Sequence, residues 1–220
     1  MRALKCDAHY GLALAYAAHC HLMLDLNGWS EDPERSRQDS IDLARRALQV
    51  AGDNANVLAF AAHALGYFES DKDPAITLID RALDLNPSFA YGWVHSGWLR
   101  LWAGNPDLAI EHFEKSLRLN PLRKGPASFG IAVCHFFARR LEKAAAMLLL
   151  SLQEYPNWAP CLRVLASCYA HLGRLGEAQA IVEKLRQITP KLNPHAQQYR
   201  ICEDREYFLD GFRLAVGQTA

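Results

Sequence analysis

The chain has 220 residues, 24 basic against 24 acidic side chains and 50% hydrophobic content, enough apolar material for one or two domains with a real core and too much for a disordered chain. Zero formal net charge provides no long-range field to gather polyanions, which argues against nucleic acid or an anionic membrane surface as the main partner. Ala (33) and Leu (32) dominate while Thr occurs three times, so the residues that fill β-strands are scarce and the composition reads as all-helical.

No apolar run approaches the roughly 20 residues of a membrane span. The start, Met1-Arg2-Ala3-Leu4-Lys5-Cys6-Asp7, carries charge where a signal peptide needs its apolar stretch, so a cytoplasmic location is expected. Six cysteines (Cys6, Cys20, Cys134, Cys161, Cys168 and Cys202) include no Cys-x-x-Cys pair and are expected to be reduced core residues.

In chain order, a helix around Leu12-Ala13-x-x-Tyr16 and a partner around Ser40-x-x-x-Ala44-x-x-Ala47 are separated by about fifteen extra residues that contain Asn27-Gly28-Trp29-Ser30-Glu31-Asp32-Pro33, where Asn-Gly and Asp-Pro mark turns. A lengthened first helix and a loop are expected there. Beyond this point the chain repeats: Asn86-Pro87, Asn120-Pro121, Tyr155-Pro156 and Thr189-Pro190 follow one another at 34, 35 and 34 residues. Upstream of each proline lies an alanine-led segment (Ala75 to Ala82, Ala109 to Ser116, Ala144 to Ser151, Ala178 to Leu185) whose apolar residues recur at three- and four-residue steps, one stripe of a helix. A second helix precedes each. The clearest cases are Trp93-x-x-Ser96-Gly97 followed by Ala109, Phe113, Ser116 and Pro121, and Leu162-x-x-Leu165-Ala166-x-x-Tyr169 followed by Ala178, Val182, Leu185 and Pro190. After Pro190, Asn193-Pro194 predicts a short helix through Cys202, and Glu203 to Val216 predicts a last amphipathic helix.

These offsets resemble the 34-residue helix-turn-helix of the tetratricopeptide repeat (TPR) family. The resemblance implies an all-α, right-handed superhelix of about five helix-turn-helix units (residues 7–52, 53–87, 88–121, 122–156 and 157–190) with a C-terminal cap over 191–220, forming one solenoid domain over 1–220. Departures are Arg100 where the pattern has Tyr, His63 where it has Gly or Ala, and Arg139 where Gly104 and Gly173 supply the turn glycine. The stretches Asn27 to Pro33, Leu78 to Pro87, Ser96 to Arg100, Ala109 to Phe113 and Phe208 to Arg213 further resemble the C-terminal repeat region of bacterial class III adenylate cyclase-like and winged-helix regulator proteins. That likeness implies a regulatory module, and it implies no cyclase activity, because the chain offers no strand to carry the metal-binding aspartates of such cyclases.

No catalytic motif stands out: there is no Gly-x-Ser-x-Gly elbow, phosphate loop or His-Glu-x-x-His. His19-Cys20-His21 and Cys134-His135 are the densest candidate ligand clusters, but residues one and two apart on a helix point about 100° and 200° apart and converge on one ion only with help from another segment. They are read as core or solvated residues, so no catalytic residue, metal site or cofactor is expected. Glu31-Asp32 and Glu203-Asp204 sit at turn or helix-start signals and read as caps.

In TPR proteins the first helix of each unit lines the concave side. By that analogy the inward residues are Phe60, Tyr67 and Phe68, then Tyr91, Val94, Trp98, Leu101 and Trp102, then Phe129, Val133, Phe136 and Phe137, while the fifth unit turns polar with Arg163, Ser167, Ala170 and His171. Each ring covers on the order of 150–250 Å², more in total than one bare patch tolerates. Three covers are open: the hairpin core or the C-terminal helix, a second copy of the chain in a homodimer, or a partner peptide laid in the groove. The expected function is therefore a non-catalytic protein-interaction module, and the alternative is a regulatory fragment of a cyclase or winged-helix regulator.

Overall fold

A computed structural model describes residue 7 and residues 9–218; Cys6 lies outside them. Among the described residues there are eleven helices and no strand. We label them α1 (Gly11–Asn27), α2 (Pro33–Ala51), α3 (Ala55–Phe68), α4 (Asp73–Leu85), α5 (Ala90–Trp102), α6 (Pro106–Leu119), α7 (Gly125–Phe137), α8 (Leu141–Glu154), α9 (Ala159–His171), α10 (Leu175–Ile188) and α11 (Cys202–Ala215). Consecutive helices pair into five hairpins, α1–α2 through α9–α10, and each first helix packs on the first helix of the next unit.

Helix boundaries follow the local chemistry. Pro33 opens α2 just after Asp32, whose carboxylate accepts the Arg35 amide at 3.0 Å, and Asn54 accepts the Asn56 and Val57 amides at the start of α3; both satisfy donors that a helix start leaves free. The turns inside units three, four and five need a left-handed residue: Gly104 has φ 90°, Gly173 φ 74° and Arg139 φ 60°. Arg139 adopts the backbone that glycine takes in the sister turns, and its guanidinium lies 3.3 Å from the centre of the Tyr207 ring, a cation–π contact that offsets the strain.

The extra residues of unit one do not make a long loop. They extend both helices, to 17 and 19 residues, around a link of only 28–32. The expected helix at 193–202 is absent. Residues 189–201 run without regular helix, because their backbone groups are engaged elsewhere: the Arg200 amide donates to the Trp102 carbonyl at 2.7 Å, and the carbonyls of Lys191 and Leu192 accept from Arg163. The chain then closes with α11, which packs on α9 and α10, while α9 also touches α1. First and last units therefore meet across the hollow. The accessible surface of 10625 Å² matches the roughly 10,000 Å² of a compact globule of this mass, as expected for a solenoid whose inner side is largely filled.

Hairpin stacking depends on one wedge. Phe113 of α6 is fully buried between Gly97 of α5 and Gly130 of α7; a Cβ added at Gly130 would lie 2.2 Å from the ring, and one at Gly97 2.6 Å from it. Only a missing side chain lets both helices close on Phe113. Replacing Gly130 with Ala is expected to destabilise the protein by about 1–3 kcal/mol through overpacking, despite the gain of about 1 kcal/mol in helix propensity. Urea unfolding checks this, and a more stable variant would remove the wedge.

Candidate functional site

The residues expected on the inner side are mostly covered and do not form an open groove. Phe60, Tyr67, Phe68, Val94, Leu101, Trp102, Phe129, Val133 and Phe136 are buried, and Tyr91, Trp98 and Phe137 are half-buried. The cover is the chain itself. Phe60 is capped by Tyr16 and His19 of α1, with ring centres 4.2 and 5.1 Å away. Residues from the tail cover much of the rest: His195 against Tyr67 (5.8 Å), Tyr199 against Phe137 (4.8 Å) and Tyr207 against Phe136 (5.1 Å).

The polar stripe of unit five docks that tail. Arg163, buried at 4% exposure, donates to the carbonyls of Leu26 (2.8 Å), Lys191 (2.6 Å) and Leu192 (3.1 Å), with Asn27 at 3.4 Å. One and two turns further along α9, Ser167 bonds the Phe208 carbonyl (3.1 Å) and His171 Nε2 bonds the Tyr207 carbonyl (2.8 Å). Thr189 adds a bond to the Asn27 carbonyl at 2.8 Å. Burial lowers the Arg163 pKa to about 10, offset in part by Tyr67 and Asp25, and the guanidinium remains charged at neutral pH.

What the tail leaves is a cavity of about 90 Å³ walled by rings, among them Trp98, Trp102, Phe129 and Trp158, together with His19, His63, His95, Arg163 and Gln198. It shares Tyr91 and Pro126 in its wall with two surface hollows. One, of about 400 Å³, runs between Tyr16, Phe60, Phe89 and Arg123; the other, of about 520 Å³, runs between Met23, Trp29, Arg123, Tyr155 and Trp158. Tyr16 and Trp29 on this rim are 45% and 50% exposed. Arg123 stands at their junction, its Nε donating to the Tyr155 hydroxyl at 3.2 Å; among the described residues its two terminal nitrogens make no hydrogen bond. Glu154 is already committed, accepting the Lys124 and Gly125 amides at the start of α7.

Three histidines from three helices meet at the inner wall. His63 of α3 and His95 of α5 stack at 4.2 Å with rings 5° from parallel, Trp102 stacks on the other face of His63 at 5.1 Å, and His19 Nδ1 of α1 lies 3.5 Å from His63 Nδ1. One ring nitrogen from each of the three lies within 4.8 Å of the others, so this group is the one set among the described residues able to hold a metal ion. His63 had stood out in the sequence only as a departure from the repeat pattern, and His19 only beside Cys20 and His21; their convergence needs neighbouring units to stack. The cysteines do not join in: Cys134, Cys161 and Cys168 are buried, with pKa values raised by burial, whereas Cys20 and Cys202 are exposed and not the core residues expected from the sequence.

Burial lowers the His19 pKa to about 4 and those of His63 and His95 well below the ordinary 6.5; the neighbouring imidazoles push His63 and His95 further down, and the Ala59 carbonyl partly opposes the shift at His95. His112, His135 and His171 shift in the same direction, chiefly through burial. Because the folded pKa is depressed, nothing is lost above pH 6.5, where both states are neutral. As pH falls from about 6.5 toward 4 the unfolded chain takes up protons that the folded one refuses, and stability falls by up to about 1.4 kcal/mol per unit for each of the buried His19, His63 and His95. Urea unfolding at pH 7.5 and pH 5 should show this loss, and His95→Phe should flatten it.

No protein-family model matches the chain. A stretch of 113 residues, 49% of this chain, is 27% identical to coatomer subunit epsilon of Dictyostelium discoideum, and covers only 36% of that protein. Among solved structures, PilW, a type IV pilus biogenesis factor, is similar with a TM-score of 0.62 at 18% identity over 94% of this chain and 87% of that one. A thermophilic TPR protein of Thermus thermophilus gives 0.62 at 19% over 81% and 91%, and human IFIT1, solved as a dimer with m7Gppp-AAAA, gives 0.69 at 18% over 87% and 45%. These likenesses show the fold, an all-α TPR solenoid. Among the described residues no helix is long and apolar enough to cross a membrane.

Proposed function

We propose that the protein is a non-catalytic interaction module that takes an extended segment of a partner protein across the aromatic rim of the hollow. The observation that carries this reading is the rim itself: two confluent surface hollows lined by Tyr16, Tyr91, Tyr155, Trp29 and Trp158, with Arg123 at their junction and its terminal nitrogens turned to no hydrogen-bond partner among the described residues. Aromatic anchors beside an arginine are what binding hot spots are made of. Apolar side chains of the partner enter between the rings, and an acidic group beside them meets Arg123. The tail already fills the deeper groove expected from the sequence, so the residues that meet a partner are the outer ones.

The wider role that fits is regulation or scaffolding within a bacterial signalling protein located in the cytoplasm. The segments shared with the repeat regions of adenylate cyclase-like and winged-helix regulators support the variant in which this chain is the regulatory part of such a protein; a reading frame upstream of Met1 that encodes a cyclase or winged-helix domain supports that variant. The similarity to a coatomer subunit, itself a member of an assembly, supports the scaffold reading. A second copy of the chain is the other occupant the rim could take, and sedimentation reports it.

The test is selection from a random displayed peptide library on the intact chain. Enriched peptides are expected to carry an acidic residue next to an aromatic or large aliphatic one. Trp158→Ala should weaken them at least tenfold, and Arg123→Glu should redirect selection toward basic peptides. Selection that yields no consensus, or one indifferent to Arg123→Glu, overturns the proposal.

A further inference from the structure

The ring-walled cavity is bordered by buried polar atoms that the protein leaves unsatisfied. Nε2 of His63, Nε2 of His95 and Oε1 of Gln198 are all buried, all belong to residues that line this cavity, and none has a hydrogen-bond partner within the described residues. Orphaned buried polar atoms are costly, and three around one small space are not explained by packing. The tautomer of His95 is fixed by its surroundings. His95 Nδ1 faces the Ala59 carbonyl at 3.2 Å, and a carbonyl can only accept; the proton therefore sits on Nδ1, and Nε2 presents a lone pair to the cavity. A backbone carbonyl holding the far nitrogen is the outer-shell contact that orients metal-bound imidazoles.

The third imidazole completes the set. His19 lies closest to solvent of the three, lining both the cavity and the outer hollow beside Phe60 and Tyr91, so an ion has a route in. Ala59, His63 and His95 belong to stacked helices of neighbouring units, and His19 reaches them from α1.

We propose that His19, His63 and His95 form a three-histidine site for a divalent transition-metal ion of the imidazole-preferring kind, with Zn²⁺ the first candidate. Three nitrogens leave a fourth position open toward the cavity, the arrangement of an open tetrahedral site. Nitrogens up to 4.8 Å apart must draw together to reach Zn–N distances of about 2.0–2.1 Å, and parallel rings cannot both point at one ion. Binding therefore turns one ring out of the 4.2 Å His63–His95 stack, which also alters the stack of His63 on Trp102. The site touches the peptide-binding rim only through His19 and does not use Arg123 or Trp158, so either proposal stands if the other fails.

The experiment uses the full chain without a histidine tag, first stripped of metal by a chelator. Co²⁺, a spectroscopic stand-in for Zn²⁺, is titrated in while visible absorption and tryptophan emission are followed, and Zn²⁺ is then added to displace it. The expected result is one equivalent bound with the intense visible bands of a low-coordinate nitrogen site, quenching of tryptophan emission, and loss of the bands on adding Zn²⁺. His19→Ala, which changes the most exposed of the three, and His95→Gln should each weaken binding at least tenfold, whereas His112→Gln should leave it unchanged. Circular dichroism checks that each variant keeps its helices; for any that does not, imidazole-nitrogen NMR of the wild-type chain during Zn²⁺ titration gives the answer, with the signals of these three rings shifting together. Absence of saturable binding, binding that survives His19→Ala in a folded protein, or shifts confined to other histidines overturns the site.

Discussion

A single buried guanidinium holds the two ends of the superhelix together. Arg163 sits in the innermost helix of the last unit and gives its hydrogen bonds to carbonyls at the end of α1 and in the tail. A charge taken out of water is costly unless nearly every donor finds an acceptor, and this fan of carbonyls meets that condition only when the first helix, the last unit and residues 189–192 are all in place. The contact is therefore all-or-none. It makes closure of the hollow part of folding, where a stack of hairpins alone would have left a curved and open ribbon.

From that closure the rest of the inner surface takes its character. Rings that would have been bare become a packed interior, with Phe136, Phe137, Tyr67 and Trp102 under the tail and Phe60 under α1. Closure is incomplete on the side of Tyr91, Arg123 and Trp158, where the links before α5, α7 and α9 come together. The molecule thus has an outer rim suited to a partner chain and, behind it, a small chamber with three imidazoles. Both exist because the tail stops short of filling the hollow.

The hairpins were legible in the sequence because their causes are local. Prolines at 34- and 35-residue intervals end the second helices, glycine or its stand-in Arg139 turns the chain, and the small–large spacing around Phe113 marks a stripe that must face a neighbour. The polar stripe Arg163, Ser167 and His171 was legible too, but its meaning was not. Periodicity places these residues on the inner face and says nothing of the carbonyls they bind 28 to 137 residues away. The tail misled for the same reason: Asn193-Pro194 has good helix-start chemistry, and long-range hydrogen bonds outweighed it. His19, His63 and His95 come from three separate units, and the spacing rules that recognise ligands within one helix do not register them.

Backbone hydrogen exchange at Arg200 tests the closed hollow most directly, since its amide donates to the Trp102 carbonyl from a segment without helix of its own. Slow exchange at Arg200, comparable to that of core amides in α5, and its loss in an Arg163→Met chain whose α5 and α6 amides stay protected, is the predicted result. An Arg200 amide that exchanges at open-chain rates in the unaltered protein would contradict the account, for the tail would then not be seated and the rings of the hollow would lie bare.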